Sequence, residues 1–76
     1  MSPKLPHLTA REVVRLVEAR GFSFDRQDGS HAVYRRADGR RVTIPVHSAR
    51  TIGVGLLLQI LRDADIDPND VRTGGR

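Results

Sequence analysis

His31 follows directly on the turn residues Gly29 and Ser30 and opens the run Ala32-Val33-Tyr34. An imidazole accepts and releases protons near neutral pH, which makes it a natural proton shuttle. Arg26, Arg35, Arg36, Arg40 and Arg41 flank it in the sequence, and guanidinium is the side chain best matched to phosphate. Proton transfer within a phosphate-attracting surface is the chemistry needed to cut a nucleic-acid backbone.

Other chemistries fit less well. The three histidines, His7, His31 and His47, have no HxxxH or HExxH spacing, and the chain has no cysteine, so no metal or other cofactor is expected. Ser30 lies in no Gly-x-Ser-x-Gly elbow, and a neighbouring Ser-His pair projects to opposite faces of a strand. Plainer roles stand beside the chemical ones. His31 could merely close a hairpin, and His47 could hydrogen-bond the loop that follows Pro45-Val46. Tyr34 could be a half-buried sheet residue, and the arginines a solvated hairpin that discourages edge pairing. Spacing alone favours these structural roles.

Composition sets the frame. All but one of the 13 Lys and Arg residues are arginine, Lys4 being the exception. Residues 1–62 carry a formal charge of +6 and residues 63–76 carry −2, so the acidic end masks a more basic body. Such a body suits nucleic acid, although basic domains also bind acidic proteins. The 76 residues suffice for one small domain, and domains near that size bury only about 60% of their unfolded surface. No stretch has the length of a membrane span and the start lacks a signal-peptide pattern. The expected setting is therefore the cytoplasm, with no membrane partner.

These residues need positioning elements. Thr9-Ala10-Arg11-Glu12 forms a capping box, and Ala10, Val13, Val14 and Val17 follow helical spacing, with Gly21 as a left-handed stop. A helix over residues 9–20 is expected. Phe22 and Phe24 then alternate with polar residues, which predicts a strand with one buried face. Asp28-Gly29 and Asp38-Gly39 each predict a hairpin turn, placing strands at His31–Arg36 and Arg41–Val46. Pro45 marks the last of these as an edge or an end. His47 to Gly55 reads as a loop broken by Gly53 and Gly55. Leu57, Ile60, Leu61 and Ala64 give a second helical stripe, ended by Asp65 to Pro68, with a frayed tail from Asn69. Leu58 flanks that stripe, whereas Leu56 points away from it. The expectation is one α+β domain over residues 1–76, with an ordered core of about 8–68 and the order α-β-β-β-α. Its three-stranded antiparallel sheet carries both helices on one face and leaves the other open.

Three segments taken together, Gly21-Phe22, Arg26 through Arg35 with its Gly-Ser-His-x-x-Tyr run, and Asp38 through His47 with its Ile44-Pro45-Val46-His47 end, resemble the HicA toxins. The likeness runs from the first helix to Ile66 and includes Ile60-Leu61 and Ala64-Asp65-Ile66. It implies a double-stranded-RNA-binding-domain-like fold. The implied activity is ribosome-independent cleavage of mRNA, with His31 as the catalytic histidine. The resemblance also implies a HicB-like antitoxin partner, through which the toxin could be held in an oligomer. Gly53, Val54, Leu56 and Leu58 stand where that family more often has Lys, Pro, Thr and Arg, so RNA contacts from the second helix are in question.

The candidate RNA-binding set is Arg26, Ser30, Tyr34, Arg35, Arg40, Arg41, His47 and Arg50. Two further readings compete with that of a nuclease: a small RNA- or protein-binding domain without chemistry, and an inactive toxin relative.

Overall fold

The computed structural model describes Leu5, residues 7–46 and residues 51–72. Strand β1 (Leu8–Thr9) leads into helix α1 (Ala10–Glu18), and β2 (Ser23–Asp28), β3 (His31–Arg35) and β4 (Arg41–Pro45) follow. Then come β5 (Thr51–Ile52), α2 (Val54–Asp63) and a short α3 (Pro68–Arg72). The three longer strands form an antiparallel sheet in the order β2-β3-β4, and β1 pairs with β5 separately. This is the expected α+β class and element order, with two short strands and one short helix added.

Local chemistry explains the helix limits. At the start of α1 the Thr9 amide donates to Glu12 Oε1 at 2.8 Å, and the Glu12 amide donates to Thr9 Oγ1 at 3.3 Å. This reciprocal pair satisfies two amides that have no partner within the helix. At its end Gly21 adopts φ +92°, and the Phe22 amide reaches back to the Val17 carbonyl at 3.1 Å. Helix α2 ends the same way, with the Ile66 amide on the Leu61 carbonyl at 2.8 Å and Asp65 at φ +59°. Both closures are Schellman motifs, and each draws the next apolar residue, Phe22 or Ile66, into the core.

One core holds these pieces together. Val13 and Val17 of α1 and Leu57, Ile60 and Leu61 of α2 meet Ala32, Tyr34, Val42 and Ile44 of the sheet. Both helices therefore cover the same sheet face. Leu57 is fully buried, Leu58 packs at the margin and Leu56 is 43% exposed, as a single helical stripe requires.

Several details differ from what the spacing predicted. Phe24 is 56% exposed, and only Phe22 of the two phenylalanines is buried. Phe24 pairs with Tyr34 and so lies on the helix-bearing side, but on an edge strand that the helices do not cover. Its ring instead meets that of Tyr34 edge-on at 5.7 Å. The first hairpin turn uses Gly29 and Ser30, with Asp28 as the last strand residue. Gly29 alone has positive φ, +59°, which is the pattern of a type II′ turn. Thr51–Ile52, expected in a loop, pairs with Leu8–Thr9, and Gly55 lies inside α2, whose N-cap is Gly53. Pro68–Arg72 form α3 instead of fraying, and the rest of the expected tail lies outside the described residues. Asp67 Oδ1 accepts from the Asn69 amide at 2.9 Å, with Pro68 at the first helical position. Val71 and Leu5 both join the core from outside the 8–68 span.

The contrast between neighbouring leucines is testable. Leu57→Ala should lose about 2–5 kcal/mol, whereas Leu56→Ala should stay within about 0.5 kcal/mol. Urea unfolding followed by circular dichroism reads both, and equal losses would contradict this orientation of α2.

Candidate catalytic and nucleic-acid interface

Strand β3 is central, and its pleat sorts the candidate residues. Side chains directly opposite one another across a sheet share a face. The core side carries Ala32 opposite Ile44 and Tyr34 opposite Val42. The open side carries three rows: Asp28, His31 and Pro45; Arg26, Val33 and Thr43; and Ser23, Arg35 and Arg41. An irregularity between Phe24 and Arg26 keeps both ends of β2 in phase with β3.

Backbone bonding fixes the closeness of these rows. The Arg36 amide donates to the Arg40 carbonyl at 2.9 Å, and the Val46 amide donates to the Ser30 carbonyl at 2.7 Å. Bonded pairs alternate along an antiparallel ladder, so His31–Pro45, Val33–Thr43 and Arg35–Arg41 are the non-bonded pairs. Their Cα atoms approach to about 4.5 Å, the nearer of the two spacings. The missing amide of Pro45 then falls on the outer edge of β4, where it costs no ladder bond.

His31 is exposed at the start of β3, beside the turn. Val33 is buried although it lies outside the core cluster, so its cover comes from neighbours on the open face. Arg26, opposite Val33, bonds Asp25 Oδ2 at 3.0 Å and Asp28 Oδ2 at 3.4 Å. Arg35 and Arg41 are exposed and make no ion pair with any described residue.

Arg36 and Arg40 do different work. Gly39, at φ +91°, donates to the Arg36 carbonyl and closes a three-residue loop. Asp38 lies at its centre, accepting from Arg36 Nη2 at 2.8 Å, Arg36 Nε at 3.2 Å and the Arg40 amide at 3.1 Å. Arg36 lies over the Phe22 ring at 4.9 Å and also reaches the Arg20 carbonyl just past α1. Arg40 Nη1 donates to the Asp63 carbonyl at the end of α2, 3.3 Å away. The loop thus latches onto both helix C-termini, where positive charge is favoured. Arg40, expected among the phosphate contacts, is engaged on the helix side.

The remaining predicted residues separate in the same way. Tyr34 lies on the core side, and burial raises its phenol pKa, with the negative charge of Glu18 adding to the effect. Ser30 occupies the turn beside His31, and its carbonyl holds Val46. His47 and Arg50 lie outside the described residues. Register therefore gathers His31, Arg26, Arg35 and Arg41, and separates them from Tyr34 and Arg40. Sequence reasoning passed over Thr43, which faces Val33, and read Asp38 only as a turn residue, without its bonds to Arg36 and Arg40. The Arg-x-Asp-x-Arg run from Arg36 to Arg40 was the available signal for Asp38. Among the described residues no cluster of three or more His, Cys, Asp or Glu is placed to hold a metal.

The model of the HicA toxin of bacterial toxin–antitoxin systems matches residues 10–66. The chain belongs to the HicA toxin family. The match begins at the first residue of α1 and ends at Ile66, which closes α2. It therefore takes in the whole three-stranded sheet and its open face. Membership makes this chain the toxin half of a toxin–antitoxin pair and implies an antitoxin partner. No match was found among curated proteins. No helix of the described residues is long and apolar enough to cross a membrane.

The latch in this HicA toxin gives a pH prediction. The Asp38 carboxyl is lowered from 3.8 to about 2, chiefly by its hydrogen bond to Arg36 and then by the Arg40 amide. A depressed carboxyl contributes stability that is present above 3.8 and is lost as pH falls through about 2. Asp38→Asn should therefore melt below wild type at pH 7, and the gap should close as the solution is acidified through that window. A gap that persists unchanged in acid would show that the carboxylate charge is not what holds the loop.

Proposed function

We propose that this chain is a ribosome-independent endoribonuclease that cleaves mRNA in the cytoplasm and is held inactive by a HicB-like antitoxin. The observation that carries this reading is the exposed His31 on a sheet face that also bears Arg26, Arg35 and Arg41. Family membership supports the toxin role. The geometry supports the choice of group, because a proton-transfer residue must be reachable from solvent and close to where phosphate is held.

In this reaction the RNA 2′-hydroxyl oxygen attacks the adjacent phosphorus. The bond from phosphorus to the 5′-oxygen breaks, leaving a 2′,3′-cyclic phosphate and a 5′-hydroxyl. His31 takes the proton from the attacking hydroxyl or gives one to the departing oxygen, and guanidinium groups steady the charged phosphorane. His47, which follows Val46 in the sequence, is the candidate for the complementary proton transfer. A single positioned proton-transfer group contributes roughly 10²–10⁴-fold. The enzyme is therefore slow, which suffices for a toxin acting on a limited pool of messages. The antitoxin acts by covering the open face and denying RNA access to it.

The test is cleavage of a purified transcript by wild type and by His31→Ala. The variant should lose about 10²–10⁴-fold in rate, keep its circular dichroism spectrum, and no longer arrest growth when expressed. Undiminished cleavage by the variant would reject His31 as the catalytic group. A wild-type protein that binds RNA but neither cleaves it nor arrests growth would support a binding module or an inactive relative instead.

A further inference from the structure

Five arginines belong to the β2-β3-β4 meander, and three of them are engaged. Arg26 is held by Asp25 and Asp28, Arg36 by Asp38, and Arg40 by Asp38 and the end of α2. Arg35 and Arg41 differ from these. They stand directly opposite each other on the open face, in the closer type of cross-strand pair, with no carboxylate of a described residue paired to either. Like charges so placed repel and weaken the sheet. A fold that neutralises the neighbouring arginines leaves this pair unrelieved, where an added anion would remove the repulsion.

We propose that Arg35 and Arg41 form a clamp for one RNA backbone phosphate, separate from the phosphate cleaved at His31. The proposal rests on the reading that the open face receives RNA. Guanidinium groups carried by two directly opposed residues supply several donors to the oxygens of one phosphate. Arg35 lies four residues along β3 from His31, about 13 Å at the rise of a strand. That separation exceeds the reach of one phosphate, so the clamp grips the strand some nucleotides away from the cut. Val33 and Thr43 occupy the row between, without charge. The two guanidiniums act on a spectator phosphate, and therefore on substrate affinity and minimum length instead of on bond breaking.

The chain's three aromatic residues are Phe22, Phe24 and Tyr34, and none lies on the open face. Phe22 and Tyr34 belong to the core, and Phe24 packs beside Tyr34 on the same side. His31 apart, the face lacks the ring platforms that grip unpaired bases. Contact with backbone phosphate is accordingly the main source of affinity that these described residues offer RNA.

The experiment uses a fluorescein-labelled, non-cleavable 2′-O-methyl RNA strand long enough to span both positions, with binding read by anisotropy over a range of salt. Arg35→Gln/Arg41→Gln should weaken binding and make the plot of log affinity against log salt shallower by about 0.7, the value for one phosphate on a single strand. Each single variant should cause most of the loss, because the two groups serve one phosphate. Arg11→Gln/Arg15→Gln removes the same charge from exposed positions on α1 and should leave the slope unchanged. A separate arm tests the repulsion: Arg41→Glu places opposite charges face to face and should raise Tm while RNA affinity falls.

An unchanged RNA affinity in the double variant overturns the clamp. Combined with a raised Tm for Arg41→Glu, it would show that the repulsion is present but serves no RNA contact. A lowered Tm for Arg41→Glu overturns the claim that the pair is unrelieved. If these binding results hold while wild type fails to cleave RNA, the clamp stands and the proposed nuclease activity does not.

Discussion

The open face exists because β3 is held in one register against both neighbours. Its side chains alternate, so Ala32 and Tyr34 enter the core while His31, Val33 and Arg35 face outward. A slip of one residue would exchange those sets, burying an imidazole and a guanidinium and exposing the apolar residues. The cost of burying those polar groups without partners makes the slipped arrangement untenable. Two hairpin turns enforce the register from opposite ends. The Gly29-Ser30 turn sets β2 against β3, and the loop centred on Asp38 sets β3 against β4. Placement of the candidate catalytic group is thus secured largely by residues with no role in chemistry.

The same economy governs charge. A basic chain of this size has few acidic side chains with which to order many arginines. Asp38 binds two guanidiniums at once and directs them to the C-terminal ends of the two main helices. Asp25 and Asp28 share Arg26. Ion pairs near the surface add little stability individually. Their effect lies in deciding which arginines are paired, and the uncompensated positive charge of the meander is concentrated at Arg35 and Arg41. Charge on the open face is consequently patterned by register instead of spread in proportion to composition.

Much of this was legible in the sequence, for identifiable reasons. The helices declared themselves through Thr9 and Glu12, Gly21, and two apolar stripes whose spacing matches a helix turn. The hairpins declared themselves through Asp-Gly pairs, although the first turn advanced by one residue because only Gly29 needs a left-handed backbone. The face on which a residue lies followed from alternation, as Phe24 shows, but whether that face is covered depends on tertiary packing above an edge strand. The β1–β5 pair is two residues long on each side, below the length at which alternation signals anything. The Asp67-Pro68 cap was a usable sign of α3 that the flanking polar residues obscured. Arg40 could not be separated from Arg41 by spacing, because one lies in a loop turned toward a helix and the other on the open face. His31 stood out by residue type and turn context and gained its catalytic role only through the family resemblance, whereas its open-face companions required the register.

Edge chemistry limits how a further strand can join this sheet. An exposed sheet edge invites another strand, and both edges of this sheet are blunted. Strand β2 is interrupted at Asp25 and carries the charged residues Asp25, Arg26 and Asp28 from there to its end. In β4 the residues in non-bonded pairs, Arg41, Thr43 and Pro45, aim their backbone groups away from β3, and Pro45 has no amide to offer. Strand addition is therefore disfavoured on the β2 side and shortened on the β4 side. Under the proposed function, recognition of an RNA or an antitoxin falls to side chains standing on the open face, and two ligands that use the same side chains exclude one another. On this reading, inhibition by occupation of the open face needs no conformational change in the toxin.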